Sequence, residues 1–533
     1  MTDQDKSTRQ VKTRRGISWL GWLAWLAVLG GSVAIVVIRR AADTSDFAMA
    51  NALTLVLTVV VWMLLTLALL SSSLPRWLWL SVLLAPPLGL AMFFTQYKFE
   101  RFDGDILPRF VSRGQPSPAG STVSTARLDA PLWQPRASDF PQFLGKNRDA
   151  HLPDVTINPN WTEHPPHIDW KHPVGNGWSS FAVQGDAAIT LEQQADQEWV
   201  SAYNLLDGTL LWKTTMQAKH SNLLGGTGPR STPTIADSRV YVASAVSRVA
   251  CLELTTGQVV WSQELLELAG TDQVEFEKQV SWGRSASPLI VKDQVIIPLG
   301  GMGPTKASLI SLDRASGREL WRGGSDQISY ASPALVELAG VAQILYVSEK
   351  QLAGYSIDTG ETLWSTPWPG SSSGAATVSQ PVVVDANHVL LTKGYGEGAR
   401  YLEIDFDGQT WSVEALWSKS ASLRTKFTNC VVQDGFAYGL NDGILECVRL
   451  QDGQRQWKQG RYRQGQLLLV GRQLLITAEN GELVLVDATP EKHRELATFP
   501  VIGDVTWNPP ALSGERLLMR NSDEMACVRL PLE

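Results

Sequence analysis

The sequence predicts an all-β, eight-bladed β-propeller behind an N-terminal anchor of three transmembrane helices. Three observations carry this prediction. The first hundred residues hold three long, uncharged apolar runs. From residue 167 onward a Gly-x-x-x-Trp motif recurs, and it closes units of 40–60 residues, about the length of a four-stranded blade. Each unit opens on a polar turn followed by a β-branched run, as in STPTIADSRVYVAS (231–244) and QPVVVDANHVLLTK (380–393).

The apolar runs are residues 17–38, 47–70 and 77–95, each near the 20 or so residues that cross a bilayer as a helix. The third contains Pro86 and Pro87 and is expected to kink there. The first reads as an uncleaved span, because its apolar stretch is long and Arg39–Arg40 follow where a small-residue cleavage site would stand. Lys6, Arg9, Lys12, Arg14, Arg15 and Arg76 would share one side of the membrane, against five basic residues in the opposite flanks. This narrow excess puts the N-terminus in the cytoplasm and exports everything after residue 96. In a Gram-negative cell that places the anchor in the inner membrane and the large domain in the periplasm. The expected division is a cytoplasmic tail (1–16), the anchor (17–96), a largely flexible linker (97–138) and the propeller (139–533). The linker reading rests on the Ser-, Pro- and Gly-rich stretch after residue 111.

In the repeat, Gly208, Gly257, Gly317, Gly360 and Gly453 stand four residues before Trp212, Trp261, Trp321, Trp364 and Trp457. The glycine supplies positive φ in a turn, and the next strand runs to the tryptophan. Weaker copies end at Trp417 and near Phe499. That makes seven closed units. Residues 507–530 supply three more strands, and HIDWKHPV near 167–173 supplies the missing fourth, so the two ends of the domain close the ring.

The net charge of −7 argues against nucleic acid as a partner. Cys251, Cys447 and Cys527 occupy matching places in ACLEL, ECVRL and ACVRL, which points to a buried repeat position. Cys430 is expected too far from Cys447 for a disulfide. His164, His167 and His172 cluster in sequence, but His167 and His172 fall on opposite faces of one strand, so no metal site is expected there.

The Gly-x-x-x-Trp repeats resemble those of pyrroloquinoline quinone (PQQ)-type propellers. DFPQFLGKNRD (139–149), GWSSFAV, GPRSTPTI, GRSASPLI and FDGDILP (102–108) resemble a membrane-anchored, PQQ-like subgroup of bacterial proteins. The resemblance implies that each tryptophan docks its outer strand onto the next blade. It spans fold neighbours of two kinds, quinoprotein dehydrogenases and non-enzymatic outer-membrane assembly lipoproteins. The enzymes of the family use an Asp base, Ca²⁺ held by Glu and Asn, and often a disulfide of adjacent Cys; this chain has no adjacent Cys pair and no carboxylate that matches the Asp.

The turns leading into the inner strands should rim the channel. They bring cations and flat rings together: Arg230, Arg284, Lys426, Trp282 and Trp507, with Asn429 and Asn508. Such a ring suits a planar anion, and the cofactor implied by the resemblance is PQQ with Ca²⁺. The competing reading is that these are blade-edge turns whose side chains cap backbone groups. Glu349 and Glu479 read as solvated turn residues. The residues alone leave enzymatic activity open. The expected function is a membrane-tethered binding or scaffold module that meets envelope proteins or a polymer; the alternative is a quinoprotein-like oxidoreductase that passes electrons to membrane quinone.

Overall fold

A computed structural model of the chain describes residues 19–41, 47–72, 75–113, 130–222 and 224–533. The expected tail 1–16 and residues 114–129 of the expected linker lie outside the described residues. The chain divides into two compact units, 1–115 and 116–533.

The first unit begins with α1 (Trp19–Ala41), α2 (Phe47–Leu70) and α3 (Arg76–Gln96), all three long and apolar enough to cross a membrane. The helix α3 runs on through Pro86 and Pro87. A hairpin follows, Tyr97–Phe102 against Pro108–Ser112, in the first part of the segment expected as linker. Its FDGDIL turn is held by Asp103, whose Oδ1 accepts from the N–H groups of Asp105 (3.0 Å) and Leu107 (2.7 Å). Asn51 of α2 donates to the Asp105 carbonyl at 2.7 Å, so the hairpin folds back on the helices.

The second unit is the eight-bladed propeller. Blades 1 to 7 occupy 182–215, 234–264, 289–323, 334–367, 382–419, 431–461 and 466–500. Blade 8 takes three strands from 511–529 and its outer strand, His167–Pro173, from the other end of the domain. Arg529 pairs with His167 and Glu524 with Pro173, so the closure inferred from HIDWKHPV is present. In every blade the register between third and fourth strands slips at a bulge just before the tryptophan or, in blade 7, Ala497, and blade 6 has a second shift between Ile444 and Glu446. Opposite the tryptophans of blades 1, 2, 3, 6 and 8 stand Ala202, Cys251, Ser311, Cys447 and Cys527. The matching cysteines therefore mark a place beside an indole that small side chains fill in these five blades and Tyr401 fills in blade 5. All four cysteines are free and buried.

The indole N–H groups of Trp170, Trp212, Trp261, Trp321, Trp417 and Trp457 each donate to a backbone carbonyl of the next blade, at 2.6–3.1 Å. In five of these junctions the ring lies against the next blade's turn glycine. A Cβ at Gly317, for example, would meet the Trp261 ring at 2.6 Å, and Gly317 has φ +71°. The motif glycine is thus required twice, for the turn and for the seat it offers the preceding blade's tryptophan. The junction of blades 4 and 5 departs from the pattern. Trp364 donates within its own blade to Gln343 (2.7 Å), packs near Trp411 (6.3 Å), and Gly408 has nothing within 4 Å of its Cβ position.

Residues 139–152 cross the channel. Phe140 pairs with Val183 of blade 1, Pro141 accepts from Ile235 of blade 2, and His151–Leu152 forms a parallel strand on blade 7. Arg148 donates to the carbonyls of Ser287 (3.2 Å), Pro288 and Pro333 (2.9 Å), at the entries of blades 3 and 4. Blades 3 and 7 stand opposite one another in a ring of eight, so the DFPQFLGKNRD segment spans the bore.

Two substitutions test this architecture. Gly317→Ala should cost about 1–3 kcal/mol through forced positive φ, plus the ring clash, whereas Gly408→Ala should lose only the backbone part; thermal unfolding midpoints compare them. Arg520 is 1 % exposed and joins blade 8 to blade 1 through Thr190 Oγ1 (2.9 Å), the Leu191 carbonyl (2.9 Å) and the Gly175 carbonyl (2.7 Å). Arg520→Met strands those acceptors in the interior at the ring closure and should cost about 3 kcal/mol or more in urea unfolding.

Candidate functional site

The turns into the inner strands gather around the channel, and Arg148 of the crossing segment reaches two of them, at Ser287 and Pro333. A belt of side-chain to backbone hydrogen bonds runs through them. Ser287 Oγ accepts from the Thr232 N–H (2.9 Å), Ser332 Oγ from the Ser287 N–H (2.9 Å), Gln380 Oε1 from the Ser332 N–H (3.1 Å) and Asn429 Oδ1 from the Gln380 N–H (2.8 Å). Each polar residue sits just before its inner strand and fastens its blade to the previous one. Asn429 is the fourth link of that belt. Asn508 acts alike at the closure, donating to the carbonyls of Gly177 (3.2 Å) and Ser179 (2.7 Å).

The arginines are also engaged. Arg284 is 3 % exposed, and its three nitrogens donate to the carbonyls of Val246 (2.9 Å), Pro298 (2.9 Å) and Leu299 (2.8 Å), with Phe276 stacked on the guanidinium at 4.6 Å. Burial brings its pKa down to about 9. Arg230 donates through both terminal nitrogens to the carbonyls of Gly228 (2.6 Å), Gly225 (2.6 Å) and Gly226 (3.2 Å), which shapes the Gly-rich loop before blade 2. Lys426 is buried against Gly394.

The flat rings form two clusters. Trp507 lies between Trp178 (4.7 Å) and Phe427 (4.8 Å), while Trp282 lies near Tyr330 (5.2 Å) and Tyr395 (6.4 Å). The Trp282 N–H donates to the Tyr330 hydroxyl at 3.1 Å. The seven expected residues therefore stand in separate contacts: a belt, two loop clamps, two aromatic stacks and, for Lys426, the packing against Gly394.

Two ionisable groups beneath the rim escaped the sequence reading. Glu198 is buried, its carboxylate accepts from the Ala245 N–H (3.1 Å), and burial pushes its pKa up to about 7 against the pull of Arg230. His220 is buried with neither ring nitrogen hydrogen-bonded among the described residues, and burial with the Arg230 charge brings its pKa down to about 3, so it is neutral. Neither belongs to a repeated motif that would have flagged it. Glu479 also differs from its expectation as a solvated turn residue. It is 2 % exposed and accepts from the Gln464 N–H at 2.8 Å. Glu349 accepts from the Ser372 N–H at 2.9 Å. Both carboxylates cap inner loops, a long-range contact that the local SEKQ and AENG strings do not encode.

PQQ carries three carboxylates, and its binding would call for guanidinium donors facing the bore. Arg284 and Arg230 spend their donors on backbone carbonyls instead, and the Asn429 and Asn508 amides hold neighbouring blades. These residues do not fit the cofactor. The His cluster is likewise divided. His167 contacts Asp169 (3.1 Å), while His172 stacks on Trp170 (5.4 Å).

Comparison with known proteins adds the family. A sequence profile described as outer membrane protein assembly factor BamB matches residues 196–459 and 305–530, more than half of the chain. The chain is similar to the outer membrane protein assembly factor BamB of Moranella endobia, 28% identical over 227 residues (43% of this chain, 52% of that protein). It is similar to that of Yersinia pestis, 23% identical over 248 residues (44% and 58%). It thus spans about half the length of these curated relatives. Among solved structures, the quinohemoprotein alcohol dehydrogenase from Comamonas testosteroni aligns with TM-score 0.55 at 13% identity, covering 75% of this chain and 82% of that one, a likeness of fold. With the profile covering most of the propeller, the chain belongs to the PQQ-like β-propeller family described as outer membrane protein assembly factor BamB.

Proposed function

We propose that this protein is a membrane-tethered scaffold of the bacterial envelope, whose propeller binds other envelope proteins without performing chemistry. The observation that carries this reading is the engagement of Arg230 and Arg284 by backbone carbonyls, which occupies the hydrogen-bond donors an anionic quinone would need. The family description, with its reference to outer membrane assembly, supports the same reading. In this proposal 17–96 anchors the chain in the inner membrane with its N-terminus in the cytoplasm, the 97–138 region connects, and the propeller 139–533 works in the periplasm. The rim offers exposed apolar groups to a partner, among them Leu224 and Tyr395.

Titration of the full chain in detergent with PQQ, with and without Ca²⁺, should give no saturable heat and no tryptophan quenching up to roughly millimolar ligand. Micromolar binding weakened by both Arg230→Ala and Arg284→Ala would return the protein to the quinoprotein-like oxidoreductase reading and its transfer of electrons to membrane quinone. Photo-reactive residues placed at Leu224 and Tyr395 should yield discrete protein adducts in cells. Adducts from Lys292 on the opposite face, with none from the rim, would move the partner surface away from it.

A further inference from the structure

The face opposite the rim holds a cavity of about 530 Å³, within the size range of small-molecule sites. Four pieces of chain build it: residues 151–159 leading out of the channel, Gln433 of blade 6, the first hairpin of blade 7 at 471–473, and the outer part of blade 7 around Asp487, Arg494 and Leu496. Its walls are tied together. Gln473 accepts from the Ile157 N–H (3.0 Å) and donates to the Ile157 carbonyl (2.9 Å), and the Gly471 N–H donates to the Leu152 carbonyl (2.9 Å). Gly471 has φ +55°, and a Cβ there would meet the Val155 carbonyl at 2.7 Å, so the backbones approach as closely as they can.

The lining has a definite chemistry. Arg472 and Arg494 have side chains 71 % and 62 % exposed, and each is steadied by one carboxylate, Asp434 at 2.7 Å and Asp487 at 3.4 Å. A guanidinium has five N–H donors, so one carboxylate leaves each with donors to spare. The His151 imidazole makes no hydrogen bond among the described residues and lines the same cavity. Pro153, Pro159 and Leu496 supply an apolar wall. Two guanidinium groups and an imidazole around one cavity match the several acceptor oxygens and double charge of a phosphate group better than the two oxygens of a carboxylate.

We propose that this cavity binds a phosphate ester on a short carbon skeleton, with the phosphate between Arg472 and Arg494 and the skeleton against the prolines and Leu496. Such a group can come from a soluble phosphate ester or from a lipid headgroup. The test uses the full chain in phosphatidylcholine nanodiscs, titrated with glycerol 3-phosphate by calorimetry. Saturable binding is expected. Arg472→Gln and Arg494→Gln should each weaken it at least tenfold, while Arg230→Gln at the rim leaves it unchanged. Repeating the titration in nanodiscs containing phosphatidic acid separates the sources: suppressed binding assigns the headgroup, and unchanged affinity assigns a soluble ester. Absence of saturable binding, or binding that both cavity variants leave within twofold of the parent, overturns the site.

Discussion

Six of the eight blade junctions rest on a tryptophan indole set against a turn of the following blade. The contact joins two requirements that neither blade meets alone. The indole N–H needs an acceptor once it is buried, and the next blade's carbonyl provides it. The ring face needs a flat partner, and in five of the junctions a glycine without a side chain provides that. The bulge before the tryptophan then turns the indole out of its own sheet toward its neighbour. Repetition of this contact sets the spacing of the blades, and ring closure at His167–Pro173 removes the open sheet edges that a linear array would leave.

A closed ring of this kind leaves a bore lined by innermost strands, and the chain uses buried polar groups to hold it. Arg148 draws together the entries of blades 3 and 4 on one side, and Arg520 secures the closure between blades 8 and 1. Burial brings their pKa values down to about 9 and about 10. Each buried guanidinium is tolerable because carbonyl oxygens surround it. The rim obeys the same economy: serine, glutamine and asparagine side chains fasten neighbouring blades, and Arg284 and Arg230 fasten loops.

The donors are distributed differently on the two faces of the propeller. Its likeness to a quinohemoprotein dehydrogenase lies in the backbone, at 13% identity. The donors of Arg230 and Arg284 are committed to the backbone at the rim, whereas the exposed arginines with donors to spare, Arg472 and Arg494, lie on the other face. If both surfaces act, one molecule presents an apolar, aromatic rim to proteins and a cationic cavity to a small anion.

The repeat made the architecture legible before any coordinates. The glycine-to-tryptophan offset gave the blade count, HIDWKHPV gave the closing strand, and uncharged runs gave the three helices, because all are set by local spacing and hydropathy. The residues of the rim were legible as well, since inner-strand turns follow from the register. What those residues do was decided only by tertiary structure. The fate of an arginine depends on which carbonyls fall within reach, and for Arg284 those belong to Val246, Pro298 and Leu299, 14 to 38 positions away. The burial of Glu479 and of His220 and the crossing of the bore by Arg148 have the same origin. They arise where strands distant in sequence converge, and no local pattern records that meeting.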